Sequence, residues 1–367
     1  MLRGVETGRL AYMVEPGRLE LREYAIPELG DGALLVRTRA AGVCGSELHM
    51  FAGRHPLRSM VMGHEIVAEV TEHCRRTHDS AGVPLAVGDR VSIVYYLTCT
   101  ACPACARGEF ELCHNAYRNW SQPPDLPPHF TGTHATHYYV DPKQWLFRVP
   151  DDVPDLVAAS ANCGLSQVWA GIERAGLRAG ESIVIQGAGG LGLYATAIAK
   201  ERGAWVIVVD GVDSRLRSAE AFGADAVVSM IQLPTVDARI ARVHELTDGE
   251  GADVGFEVAG VPAAVGEGIE LVRPGGRYIE IGNVTPGPEI GLDIGRLTRR
   301  AVSIIPVIRY KPWVLREALA FLSRNVDRLP LDRLLDRTYP LDRLEDALRD
   351  SEARTVTRAV VTFGLGG

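Results

Sequence analysis

Four cysteines fall within fifteen residues as Cys99-x2-Cys102-x2-Cys105-x7-Cys113. Thiolates at this spacing can surround one tetrahedral ion, and four sulfurs leave no open position. The spacing therefore predicts a closed, structural zinc site. The lobe that carries it, about residues 95–120, is loop-rich and too small to hold its shape by burial alone, so metal binding supplies folding energy. A second group of chemically capable residues lies upstream. Cys44 sits in Gly42-Val43-Cys44-Gly45-Ser46-Glu47-Leu48-His49, and Gly63-His64-Glu65 follows soon after. Thiolate, imidazole and carboxylate are all zinc donors, and a catalytic zinc keeps one position open for water or substrate. Taken singly, Cys44 also reads as a small buried hydrophobe and His64 as a satisfied core histidine. The chain holds seven cysteines, and in a reducing compartment such crowding means metal rather than disulfides. Cys74 reads as structural or incidental.

A third motif binds phosphate. Gln186-Gly187-Ala188-Gly189-Gly190-Leu191-Gly192 follows the β-branched run Ser182–Ile185 and precedes the Ala-rich, Pro-free stretch Leu193–Lys200. Strand, Gly-x-Gly-x-x-Gly and helix together form a dinucleotide fingerprint. Gly187 permits the tight turn, Gly189 with Gly190 and Leu191 brings backbone up to a pyrophosphate, and Gly192 lets the helix pack on its strand. The helix N-terminus then faces the phosphates. A buried strand, Ala204–Val209, ends at Asp210, 18 residues past Gly192. A carboxylate there accepts from adenosine ribose hydroxyls and repels a 2′-phosphate, favouring NAD over NADP.

The elements that must position these groups fit two domains, since 367 residues exceed one compact core. Residues 10–40 read as short strands, and Ile66–Thr71 and Phe130–Val140 as further strands. From Gly180 to about Val307 strands and helices alternate. The strands are 182–186, 204–210, 226–229, 252–258, 276–282 and 302–307, with helices such as Ser214–Phe222 and Pro262–Leu271 between them. This alternation predicts a doubly wound parallel sheet. The tail adds an amphipathic helix, Val314–Ser323, and a strand, Arg358–Phe363, expected to return to the first domain. A net charge of −7 argues against a nucleic-acid partner. No apolar run approaches a membrane span. The first residues lack the apolar core of a signal peptide, which places the chain in the cytoplasm.

Cys44, Gly63-His64-Glu65, the four-Cys lobe, Asn162-Cys163-Gly164-Leu165-Ser166, the Gly-rich turn with Asp210 and the closing strand together resemble the medium-chain, zinc-dependent alcohol dehydrogenase family. The resemblance covers nearly the whole chain. It implies an α/β protein with a GroES-like, β-rich catalytic domain (residues 1–160 and 308–367) around a Rossmann coenzyme domain (161–307). It implies Cys44, His64 and Cys163 as catalytic zinc ligands, with Glu65 behind the metal as an occasional ligand. Ser46 would take the alcohol proton and His49 would pass it to solvent, a task suited to an imidazole. Asp210 would hold the adenosine ribose, with Arg215 and Arg358 near the cofactor's ribose and phosphates. Two Zn2+ ions, NAD, a small alcohol or carbonyl substrate and a homodimer or homotetramer complete the expectation.

Three departures bear on the substrate. Arg54 and His55 follow the relay segment where an apolar wall is common, and His134 stands where an aromatic wall often stands. Together with Tyr95 they form the candidate pocket and point to an alcohol, primary or secondary, carrying a polar or anionic group. The alternative is a polyol or amino-alcohol dehydrogenase of sorbitol or threonine type, against which Cys163 weighs. A zinc-ribbon binding module would want a basic surface and has no use for Asp210.

Overall fold

The computed structural model describes residues 6–364. The backbone divides into two compact units, Met1–Ser166 with Lys311–Gly367, and Gln167–Tyr310.

In the first unit, β1 (Thr7–Glu15) and β2 (Arg18–Ala25) form a hairpin, and β3 (Leu34–Gly42) runs into helix α1 (Gly45–Phe51). Then come β4 (Met60–Val61), β5 (Val67–His73), β6 (Arg90–Ile93), the short helix α2 (Pro103–Ala106), β7 (His137–Val140), β8 (Leu146–Arg148) and α3 (Asp155–Ala158). β2, β1 and β4 make a small antiparallel sheet. β3, β5, β6 and β8 lie side by side in a larger one, where Leu34, Val36, Ile66, Val70, Val91, Ile93 and Leu146 form the core. Both faces of β3 are largely buried, as befits a strand with neighbours on either side.

Phe130–Val140 is not one strand: only His137–Val140 is regular. The preceding residues stitch the two sheets together. The His134 N–H donates to Met62 O, the Ala11 N–H to His134 O, and the Thr38 N–H to Thr136 O. Gly132 permits this, since a Cβ there would run into the Val61 and Met62 carbonyls.

The helix that opens at Asp155 also breaks. α3 lasts four residues, residues 161–165 form one wide π turn, and α4 (Ser166–Ala175) follows.

In the second unit, β9 (Ser182–Gln186), α5 (Gly190–Glu201), β10 (Trp205–Asp210), α6 (Asp213–Ala221), β11 (Ala226–Ser229), α7 (Val236–Glu245), β12 (Ala252–Glu257), α8 (Pro262–Leu271), β13 (Val272–Glu280), α9 (Ile294–Arg300) and β14 (Ser303–Pro306) alternate. All pairings are parallel, in the order β11-β10-β9-β12-β13-β14. The order reverses beside β9, so the Gly-rich turn opens at the topological switch point, where α/β sheets bind ligands.

The chain then returns to the first unit with α10 (Val314–Asn325), β15 (Arg337–Pro340), α11 (Leu344–Glu352) and β16 (Ala359–Thr362). β16 pairs antiparallel with β3, as the closing-strand reading requires. Among the described residues no helix is long and apolar enough to cross a membrane.

Candidate active site

Two donor clusters form, both in the first unit. One ligand atom from each of Cys99, Cys102, Cys105 and Cys113 lies within 4.8 Å of all the others, and the same holds for Cys44, His64, Glu65 and Cys163. In the first cluster Cys99 Sγ is 4.0 Å from Cys105 Sγ, and the Cys99 N–H donates to Cys113 Sγ at 3.3 Å. Local chain geometry gathers these four, because they lie on one loop and the short helix α2.

The second cluster is assembled over long range. Cys44 Sγ is 3.8 Å from Cys163 Sγ, and His64 Nε2 is 3.3 Å from Cys163 Sγ. Cys44 precedes α1, His64 follows β4, and Cys163 sits in the π turn, an irregularity common at functional sites. Asn162 fixes that turn. Its Nδ2 donates to His64 O at 2.9 Å and to Ile93 O at 2.6 Å, while its Oδ1 accepts from the Ile66 N–H at 3.2 Å. In the sequence Asn162 stands in the Cys163 motif with no evident task of its own. Its adjacency to Cys163 was the available signal.

The buried donors shift one another's proton affinities. Its contact with Cys163 holds the Cys44 thiol well below the ordinary thiol value, while the same contact and burial push Cys163 well above it. Burial disfavours a charged His64, yet the Cys44 thiolate and the Glu47 and Glu65 carboxylates raise it to about 9. Two buried atoms, His64 Nδ1 and Glu65 Oε2, have no hydrogen-bond partner. Two thiols, an imidazole and a carboxylate converging in a buried site fit a tetrahedral zinc with room to exchange a ligand.

Arg358 reaches the second cluster. Its guanidinium pairs with Glu65 Oε1, and both side chains are buried. Burial raises the Glu65 carboxyl to about 7 against the opposing pull of Arg358. A fully buried carboxylate is tolerated only with a cation beside it, and Arg358 supplies that cation. Gly42 makes the pocket for that carboxylate, since a Cβ there would collide with Glu65 Oε2.

His134 stands elsewhere than expected. It is fully buried, with Nε2 3.1 Å from Glu47 Oε1. Glu47 points inward from α1, and its other oxygen accepts from the Cys44 N–H at 2.8 Å. Burial alone would raise the Glu47 carboxyl, but His134, His64 and that amide hold it below the usual range. His134 is therefore no pocket wall.

Arg54 reaches Glu352 and His49. His55 Nδ1 accepts from the Leu57 N–H at 3.1 Å, closing its own turn. The aromatic rings beside the cluster belong to Tyr95, a candidate pocket residue, and to Trp120, which was not among the candidates. Their rings lie 5.3 Å and 5.4 Å from the His64 ring, centre to centre. Trp120 lies beyond the last lobe cysteine, where sequence carries no periodic signal. Ser46 and His49 lie three residues apart on α1 and so share a face.

In the second unit Gly187 adopts φ +106°, which only glycine takes freely, and a Cβ on Gly192 would collide with Gly187 O. Nothing lies within 4 Å of where a Gly189 Cβ would be, and no side chain caps α5. Open space before uncapped helix amides fits a pyrophosphate. Asp210 Oδ2 accepts from the Ala188 N–H at 2.7 Å and Oδ1 from the Val212 N–H at 2.8 Å. Each oxygen keeps a second lone pair for a ribose hydroxyl. Arg215, partly buried, is in the first turn of α6.

A Rossmann unit joined to a GroES-like unit with two cysteine-rich donor clusters defines an alcohol-type oxidoreductase. Residues 30–151 match the alcohol dehydrogenase GroES-like domain and residues 190–324 the zinc-binding dehydrogenase family. L-threonine 3-dehydrogenase of Pyrococcus horikoshii is 31% identical over 89% of this chain and 90% of its own length. 5-exo-hydroxycamphor dehydrogenase of Pseudomonas putida is 29% identical over 98% of this chain and 100% of its own. The crystal structure of an alcohol dehydrogenase from Thermotoga maritima superposes with a TM-score of 0.90 at 29% identity, covering 97% of this chain and 99% of that one. The chain belongs to the zinc-dependent medium-chain dehydrogenase family.

Proposed function

We propose that the protein oxidises an alcohol, or reduces the matching carbonyl, with NAD as hydride partner and two zinc ions per chain. The observation that carries this reading is the buried convergence of Cys44, His64, Glu65 and Cys163 within 4.8 Å, beside a second, all-cysteine cluster. Cys44, His64 and Cys163 would hold the catalytic ion and the four-Cys lobe the structural one. Zinc held there would supply the Lewis acidity that lowers an alcohol's pKa, and bound NAD would supply the hydride acceptor. Ser46 accepts the alcohol proton at Oγ, and His49, on the same face of α1, carries it toward solvent. Glu65 is held ready behind the ligands by Arg358. Asn162 keeps Cys163 beside His64. Gly187–Gly192 and the α5 amides receive the pyrophosphate, and Asp210 the adenosine ribose, with Arg215 close to it in sequence on α6.

The pocket residues favour an apolar skeleton over an anionic one. Tyr95 and Trp120 pack against His64, whereas Arg54 and His134 are engaged with carboxylates. The open edge of β14, with exposed Ile308 just beyond it, supports a homodimer or homotetramer joined through that strand.

The test is metal content with activity. Wild type should hold two zincs and reduce NAD with a panel of cyclic and aromatic secondary alcohols. Cys44→Ser should stay folded with one zinc and no turnover. A zinc count unchanged by Cys44→Ser ends the proposal.

A further inference from the structure

His49 lies in the last turn of α1, and the chain turns sharply after the helix through Gly53 at φ +70°. The turn brings Arg54 back beneath the imidazole. The Arg54 N–H donates to His49 O at 2.8 Å, and its Nε donates to His49 Nδ1 at 3.2 Å. Its Nη2 donates to Glu352 Oε1 at 3.2 Å, from the last residue of α11. The backbone contact fixes the turn, and histidine and carboxylate hold the guanidinium at two points.

We propose that Arg54 is a positioning residue for His49, fixing the orientation of the ring and its neutral form with the proton on Nε2. The inference rests on the reading of His49 as the outer end of the proton path. An imidazole nitrogen that accepts from a guanidinium must keep its lone pair, so a neutral ring carries hydrogen on the other nitrogen. Protonation at Nδ1 would set one N–H against another. Arg54 and a proton therefore compete for the same lone pair, and the proton path opens only as the guanidinium swings toward Glu352. Both side chains are about half exposed, which leaves room for that swing.

The charged and titratable groups facing His49 are Arg54 and His55 from the following turn, Cys44 from the start of its own helix, and Glu352 from α11. Burial and then Arg54 lower the His49 pKa, Cys44 and Glu352 oppose them, and the result is downward. His49 thus stays uncharged at neutral pH and sheds a proton readily.

The experiment follows His49 by hydrogen exchange at the imidazole C2–H, read by mass spectrometry on the zinc-loaded full chain. Arg54→Met should raise the His49 midpoint by about half to one pH unit, the scale of one charge at contact in a watery setting. The acid limb of the kcat profile with NAD should move up equally, and in a His49→Gln background Arg54→Met should move it no further. An unmoved His49 midpoint overturns the proposal. A moved midpoint with an unmoved limb removes His49 from the proton path and overturns it too. If wild type turns over no alcohol, the dehydrogenase reading fails, while the exchange midpoint still reports on the Arg54–His49 contact.

Discussion

Glu257 ends β12 and Glu280 ends β13, and the two lie in register on adjacent parallel strands. Glu257 is fully buried. It accepts from the Gly260 N–H at 2.7 Å, the Gly282 N–H at 3.1 Å and Asn283 Nδ2 at 3.2 Å. Burial, and then the charge of Glu280, push its carboxyl from 4.5 up to about 8. A carboxyl with a raised native pKa favours the fold below its unfolded value and loses that advantage as pH climbs to the native one. Between 4.5 and about 8 the native state holds the extra proton, so stability falls by about 1.4 kcal/mol per pH unit. The full span amounts to about 5 kcal/mol, and relaxation of the site leaves an expectation of about 2–3 kcal/mol. Glu257→Gln removes the titration. At pH 5 it should cost about 1 kcal/mol, because an amide NH2 faces the Gly282 and Asn283 donors. At pH 9 it should be the more stable protein by about 1–2 kcal/mol, since no carboxylate is left to bury. Urea unfolding followed by circular dichroism across this range should show the two stability curves crossing. Curves that stay parallel, or a variant still weaker than wild type at pH 9, refute the argument.

Three further outcomes are expected. Cys105→Ser should release one zinc and expose the 99–113 loop to limited proteolysis, while the Cys44 cluster keeps its ion. Asp210→Ala should raise the KM for NAD by about tenfold, the value of ~1.4 kcal/mol of ribose contact, and narrow the preference over NADP, both read from initial rates. Arg239 and Glu267 form a bidentate pair at 2.7 Å with both side chains almost fully buried. Arg239→Met should therefore cost about 3 kcal/mol by stranding Glu267, seen as a lower urea midpoint, whereas Arg239→Met with Glu267→Leu should recover much of it.

Much of this protein is written locally. The four-Cys lobe was legible because its donors share one loop, where spacing alone limits how far apart the sulfurs can be. The Gly-rich turn was legible because glycine is needed where Gly187 turns left-handed and where Gly192 touches the turn's own backbone. The six parallel strands followed from alternation of short apolar runs with helices, and Pro262–Leu271 has the bounds that its sequence suggested. Elements whose shape depends on neighbours were harder to read. Phe130–Val140 has strand composition, yet its amides are claimed by two different sheets.

The sequence by itself determined the donor types, the cofactor turn and the alternation that builds the sheet, because each depends on residues close along the chain. Only the tertiary structure decided where the long-range partners meet. Cys44 and Cys163 are 119 residues apart in sequence, and Arg358 and Glu65 are separated by 293. From sequence, His134 reads as a pocket residue, and the resemblance puts Arg358 near the cofactor's ribose and phosphates. Each is buried instead, since Glu65 and Glu47 lie in the interior and a buried carboxylate is tolerated only with a partner beside it.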